Sequence, residues 1–285
     1  MKKVMLVLAF AGFGAGAYAQ DPAVKEGVKM YYYKKFKSAQ TTLTPLADKD
    51  PLANYYLGLT LLEMGNLQQA QATFMKYPED FANISGTARV AFLNKDVANG
   101  NRIAKELAGK AKKKDWMPQK YAADAITYTD GGDINQAIAW YKDALAKNQG
   151  DKSELHIGLG DLMRKQPTGG GEAMNNYEAV AEKDKTNSLA LSRIGDLWYD
   201  ARNYTSALDN YGRAKEADAN NPLPYKALAD AYSRSGKYKQ ALQNLQDYLA
   251  HSDNTFDDRL DYTRALYQAQ SYCDAVTQAQ KLLGE

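Results

Sequence analysis

The stretch Ser188 to Asn221, SLALSRIGDLWYDARNYTSALDNYGRAKEADANN, reads as two short amphipathic helices joined by a tight turn. Leu191, Ile194, Gly195 and Trp198 recur at helical spacing in its first half, and Ala207, Tyr211 and Ala214 in its second. Between them, Ala201-Arg202-Asn203 offers an Asn to cap the second helix. Numbered as a 34-residue unit, the stretch holds these residues at positions 4, 7, 8, 11, 20, 24 and 27.

Outward from Ala207, the alanine of position 20 returns as Ala39, Ala70, Ala104, Ala137, Ala173, Ala241 and Ala275, at successive gaps of 31, 34, 33, 36, 34, 34 and 34 residues. A period of this length marks a repeat architecture, in which each unit buries its apolar face against its neighbours. Position 8 is Gly27, Gly58, Ala125, Gly160, Gly195 and Ala229 in six units. Small residues at positions 8 and 20 let two antiparallel helices approach closely, where a larger side chain would overfill the contact. Gly65-Asn66, Gly131-Gly132-Asp133 and Ser235-Gly236-Lys237 supply further turns. Large apolar and aromatic residues fill positions 4, 7, 11 and 24 in the regular units, as Tyr121, Tyr128 and Tyr141, then Tyr225, Leu228, Tyr232 and Leu245. The third unit is irregular: from Phe81 to Asn101 a helical period is hard to hold, and Phe92 stands where a small residue belongs.

These positions resemble the tetratricopeptide repeat (TPR), with its W-x2-L-G-x2-Y and A-x3-F pattern. The resemblance covers about residues 22 to 283 and is strongest from Pro118 onward. The proline usual at position 32 occurs only as Pro51, which bears on the angles between repeats. What the resemblance implies is an all-α fold, a right-handed solenoid of about eight antiparallel helix-turn-helix repeats with one continuous elongated core. The expected organisation is a signal peptide at 1–19, less regular repeats at 20–117 and regular repeats at 118–285, continuous as one array.

With 285 residues, 45% hydrophobic and 25% charged, the chain can bury a sizeable core. Its amino terminus reads as a bacterial secretory signal: Lys2 and Lys3, an apolar run from Val4 to Phe13, and a small-residue zone ending Ala17-Tyr18-Ala19. Cleavage there leaves Gln20 first, and Asp21-Pro22 then opens the first helix. The expected location is the periplasm or beyond. Removing Lys2 and Lys3 leaves 34 basic against 34 acidic residues, a neutral balance that argues against a general binder of nucleic acid or anionic membrane. Tyr, at 21 residues against 7 Phe and 3 Trp, suits surfaces that are half buried or bind ligands.

Enzymatic chemistry finds little to work with. His156 and His251 stand in distant units with no Cys beside them, against a His/Cys metal site. Cys273 opens a second helix without a His to act as base, and is expected to be a half-buried, unreactive thiol. Pro167 to Glu172, PTGGGE, is Gly-rich but lacks the Lys and Ser/Thr of a phosphate loop, and reads as a lengthened turn. Lys110, Lys112, Lys113 and Lys114 read as a solvated face. Neither a cofactor nor an enzymatic activity is expected.

In the TPR family, positions 2, 5, 9, 12 and 13 of the first helices line the concave groove. By that resemblance the candidate binding residues are Asp161, Arg164, Asp196, Tyr199, Lys226, Asp230, Arg234, Arg264 and Tyr267, with Asp161, Asp196 and Asp230 at position 9 of successive units. Alternating acids, bases and Tyr suit an extended peptide held by charge-assisted bonds. The same charges could instead pair across adjacent helices and merely solvate the groove. Family members that clamp a C-terminal carboxylate carry Asn at position 9, so that clamp is not expected. The leading expectation is a non-enzymatic protein-interaction scaffold of the bacterial envelope. One alternative is a cell-wall glycan binder using Tyr199 and Tyr267 as stacking platforms. Another is self-assembly through a last repeat that ends at Leu282-Leu283-Gly284-Glu285 without a capping helix, either because the chain is a truncated piece or because a partner covers it.

Overall fold

The computed structural model describes residues 21–284, so the expected signal peptide at 1–19 lies outside the described residues. Sixteen helices and no strand occur among those residues. They run α1 (Pro22–Tyr32), α2 (Phe36–Leu43), α3 (Pro51–Glu63), α4 (Leu67–Phe74), α5 (Phe81–Leu93), α6 (Val97–Gly109), α7 (Met117–Thr127) and α8 (Ile134–Lys147). The second half continues with α9 (Ser153–Arg164), α10 (Gly170–Lys183), α11 (Ser188–Asp200), α12 (Tyr204–Ala217), α13 (Leu223–Arg234), α14 (Tyr238–His251), α15 (Phe256–Gln268) and α16 (Tyr272–Leu283). Each helix packs on the next, giving eight antiparallel pairs stacked as an α-solenoid.

The boundaries follow local chemistry. Asp21 accepts from the Ala23 N–H at 2.8 Å ahead of Pro22, and Asp50 accepts from Leu52 and Ala53 ahead of Pro51. Within most pairs the turn needs one left-handed residue. Gly65, Gly131 and Gly236 supply it without steric cost, while Lys34, Lys95, Arg202 and Gln270 adopt the same positive φ. The lengthened turn before α10 also has a physical reason for its glycine. A Cβ on Gly169 would stand 1.9 Å from the Met163 carbonyl oxygen, so only glycine lets the chain fold back on the end of α9.

All eight position-20 alanines are buried. Opposite them, position 8 works as the spacing implies: a Cβ on Gly27, Gly58, Gly160 or Gly195 would lie 2.2–2.6 Å from Leu43, Phe74, Tyr177 or Tyr211, the side chains of position 24. The irregular third unit is a well-formed pair, α5 with α6, that exchanges large for small. Phe92 at position 8 and Ala108 at position 24 are both buried, and a Cβ on Gly100 of α6 would meet the Phe92 ring at 2.7 Å. Its period is faint because α5 is enclosed on most sides, with Ala82, Asn83, Ser85, Gly86, Ala88, Arg89, Val90, Ala91 and Phe92 all buried. The expected single core is instead divided into four clusters. Half-buried Tyr121 joins the first two, half-buried Trp198 links the central one to the next, and α13 contributes to the last two, Leu228 to one and Tyr225 to the other.

Candidate functional site: the concave wall

The first helices of the pairs form the inner wall. From α1 to α9 they touch one another directly, α1 on α3, α3 on α5, α5 on α7 and α7 on α9, as well as their own partners. Where this packing tightens, the wall is aromatic. The Tyr31 and Tyr56 rings meet edge to face at 5.3 Å, as do Tyr55 and Tyr121 at 5.8 Å. The Tyr32 and Tyr56 hydroxyls are hydrogen-bonded at 2.9 Å. Beyond α9 the first helices stand further apart, and long cations bridge them. Arg193 on α11 reaches Asp161 on α9 at 2.7 Å, and Arg164 on α9 reaches Asp196 at 2.9 Å and Asp200 at 2.7 Å on α11. Lys226 on α13 reaches Asp258 at 3.7 Å and Asp261 at 3.3 Å on α15.

The row of position-9 acids is therefore not uniform. Asp161 accepts from the Tyr177 hydroxyl at 2.8 Å and Asp196 from the Tyr211 hydroxyl at 2.9 Å, each Tyr standing at position 24 of the same unit. With Arg193 and Arg164 added, both carboxylates are engaged within the array. In the next unit position 24 is Leu245, which has no hydroxyl to give, and Asp230 makes no hydrogen bond or ion pair among the described residues. Although Asp230 is exposed, its carboxyl is held above the usual range, first by desolvation against the wall and then by Asp261, which together outweigh Lys226 and Arg234.

The remaining candidates fall into two groups. Arg234 donates through Nε to the Tyr199 hydroxyl at 3.3 Å, and Tyr199 stacks edge to face on Tyr204 at 5.5 Å; with Asp200 and Arg202 they rim a shallow depression. Arg264 is exposed and paired to Asp261 at 3.3 Å, and Tyr267 is 66% exposed. These are not brought into one cluster with Asp161 and Asp196.

The charge-bearing residues of the first half are a site that the sequence reading passes over. Lys120 on α7 pairs with Asp124 at 3.0 Å and with Glu154 of α9 at 3.3 Å, and lies over the Tyr121 ring at 4.3 Å. Arg89 on α5 lies over the Tyr128 ring at 4.9 Å. Tyr31 and Tyr32 hold positions 12 and 13 of unit one, and Tyr55 and Arg89 hold position 5 of units two and three. The groove positions applied to units four to eight would have found them in units one to three.

Contacts across the whole array close it. The Tyr33 hydroxyl at the end of α1 donates to Asp218 in the α12–α13 link. Asp253, in the α14–α15 link, accepts from the Lys37 N–H at 2.8 Å, the Ser38 N–H at 3.3 Å and the Ser38 hydroxyl at 2.5 Å. Asp253 thus caps α2, which has no capping side chain of its own. The first pair is clasped to the two links that flank the seventh, so the array curves back on itself along its inner wall. On that wall Tyr32 and Tyr128 are 40% and 44% exposed, and burial is the chief cause that pushes their hydroxyl pKa values up, Tyr32 to about 12.

Residues considered for chemistry have ordinary partners. His156 Nδ1 pairs with Asn176 Oδ1 at 2.9 Å, and His251 stacks on Tyr225 at 5.1 Å. Cys273, expected half buried, is exposed because it sits on the outer side of α16, away from Ala275. Lys112, Lys113 and Lys114 are exposed, as a solvated face requires. Among the described residues no group of three or more His, Cys, Asp or Glu could hold a metal, and no helix is long and apolar enough to cross a membrane.

No protein-family model matches the chain, and no curated protein matches it. Solved structures do. In the crystal structure of the APC/C hetero-tetramer Cut9-Hcn1, a chain 14% identical superposes with a TM-score of 0.54, over 93% of this chain and 53% of that one. This chain thus spans about half the length of that relative, and the likeness is one of fold. Two crystal structures of MamA match at 18% and 15% identity, each with a TM-score of 0.47, over 53% and 70% of this chain and 88% and 92% of theirs.

Proposed function

We propose that this array of tetratricopeptide-type helix pairs is a non-enzymatic scaffold that receives an extended segment of a partner protein along its concave wall. The observation that carries the reading is the clasp at Asp218 and Asp253, which on this reading closes the concave wall, with exposed Tyr32 and Tyr128 on it, into a channel. Tyrosines give large contact area at low entropic cost, with hydroxyls to bind a backbone. Asp230, Arg234 and Tyr199 extend this surface through the second half, where Asp161 and Asp196 serve mainly to hold the wall. The proposed setting is the bacterial envelope, reached through the signal sequence at 1–19.

The test is affinity capture with residues 20–285 from an envelope extract, read by mass spectrometry, beside a variant in which Tyr32 and Tyr128 are both replaced by Ala. A partner held by the native chain and lost by the variant supports the reading. A partner held equally by both would overturn the channel as its site. The exposed edge-to-face pair Tyr267 and Tyr272, 5.4 Å apart, favours self-association as a second reading. Light scattering that shows mass rising with concentration, and a rise abolished by Tyr267→Ser, would establish it.

A further inference from the structure

Four cations along the middle of the concave wall share one arrangement. Lys120 holds Asp124 and Glu154, Arg164 holds Asp196 and Asp200, Arg193 holds Asp161 and Asp196, and Lys226 holds Asp258 and Asp261. Each has two carboxylates. Arg89, only 5% exposed, has none, and its Nε donates no hydrogen bond. Its sole close contact of this kind is the face of the Tyr128 ring.

A guanidinium offers five N–H donors in a rigid fork, and burying even one of them, here Nε, without an acceptor is costly. Asp124 is the nearest acid to influence it, but both of its oxygens are committed, Oδ1 to the Tyr141 hydroxyl at 2.6 Å and Oδ2 to Lys120. The position of Arg89 is also unlike that of a core residue. It stands at position 5 of its unit, over the Tyr128 ring of α7 and within electrostatic reach of Tyr55 of α3 and Tyr31 of α1.

We infer that Arg89 is a carboxylate receptor: it binds an acidic group of the polypeptide in the channel, which supplies the acceptor that Lys120, Arg164, Arg193 and Lys226 find within the chain. This rests on the reading of the channel as a peptide site and names the chemistry it selects. The fork matches a carboxylate bidentately, and the surrounding hydroxyls and rings accommodate the chain that carries it.

The experiment uses residues 20–285 and a library of mixed-sequence decapeptides, acetylated and amidated, in matched sets that contain one Glu or one Gln. A third set carries Gln and a free C-terminus. Binding is compared for the native chain, Arg89→Met and Arg89→Lys, and thermal midpoints are measured in parallel. The expected result is a preference of tenfold or more for a carboxylate set, lost in Arg89→Met and weakened in Arg89→Lys, with the Arg89→Met midpoint unchanged or raised because an unspent buried charge has been removed. Preference for the Glu set places the group on a side chain, and for the free-acid set at the chain end. Equal binding of all three sets would overturn the inference and leave the channel reading standing. So would a midpoint that falls in Arg89→Met while the preference persists, since Arg89 would then be a structural prop on Tyr128. Failure of every peptide to bind the native chain would overturn both.

Discussion

Replacing Asp253 by Ala removes the clasp's larger half, and the amides of Lys37 and Ser38 read the effect directly. These are the second and third residues of α2, whose first-turn N–H groups have no acceptor inside the helix. In the structure both N–H groups point at Asp253, so their protection from hydrogen exchange reports the clasp alone. Ala39, whose N–H bonds to the Lys35 carbonyl, is the control that reports the helix. A helix-capping carboxylate contributes about 1–2 kcal/mol, including its interaction with the helix dipole. That corresponds to roughly 5–30-fold in the opening equilibrium. In Asp253→Ala, exchange at Lys37 and Ser38 should accelerate by this factor while Ala39 changes little, and a spin-label distance from α2 to the α14–α15 link should broaden. If Lys37 and Ser38 exchange in the native chain as fast as in the variant, the array is open in solution and the channel argument fails.

Two further outcomes test the packing and the electrostatics. In Gly195→Ala the new Cβ would lie 2.6 Å from the Tyr211 ring, which cannot slide away while its hydroxyl is bonded to Asp196. Overpacking should outweigh the helix-propensity gain and cost about 1–2 kcal/mol in urea unfolding. Gly212→Ala, in a helix with nothing within 4 Å of the added carbon, should instead stabilise by up to about 1 kcal/mol. Asp258 predicts a pH dependence. Burial pushes its carboxyl up, but hydrogen bonds from Tyr248 and from the Thr255 side chain and backbone, with Lys226, outweigh it and hold the pKa below the usual carboxylate range. Its contribution is full above the unfolded value of about 3.9 and is lost as pH falls through the lower native value. Exchange protection in α15 should drop across that acid window, and Asp258→Asn should remove the dependence.

The repeat period was legible because one contact recurs eight times: an alanine of the second helix against the first. Where packing departed from that contact, the period faded. In unit three Phe92 and Ala108 exchange sizes across the pair, so a reading tied to a small position 8 meets a Phe. The helix around it is buried on most sides and shows little amphipathic alternation. The concave positions come from the family pattern, and the acids that repeat at position 9 draw that assignment to the second half. Tyr31, Tyr32, Tyr55 and Arg89 stand at the same positions in units one to three, hidden by their difference in residue type. The clasp left no local trace, since Tyr33 and Asp218, or Ser38 and Asp253, are joined only by the curvature that many units accumulate.

Residue type at position 24 separates the two uses of the acidic row. Where it is Tyr, as in the units of Asp161 and Asp196, its hydroxyl pins the acid and its ring fills the space left by glycine at position 8. Packing and polarity are then set by one side chain, and the acid is part of the wall. Where it is Leu245, the small residue opposite is Ala229 and Asp230 is released. Three aspartates alike in register thus differ in what they can offer a partner. Substituting Asp196 should damage the array before it damages recognition, whereas substituting Asp230 should leave the fold intact and alter only what the groove will hold.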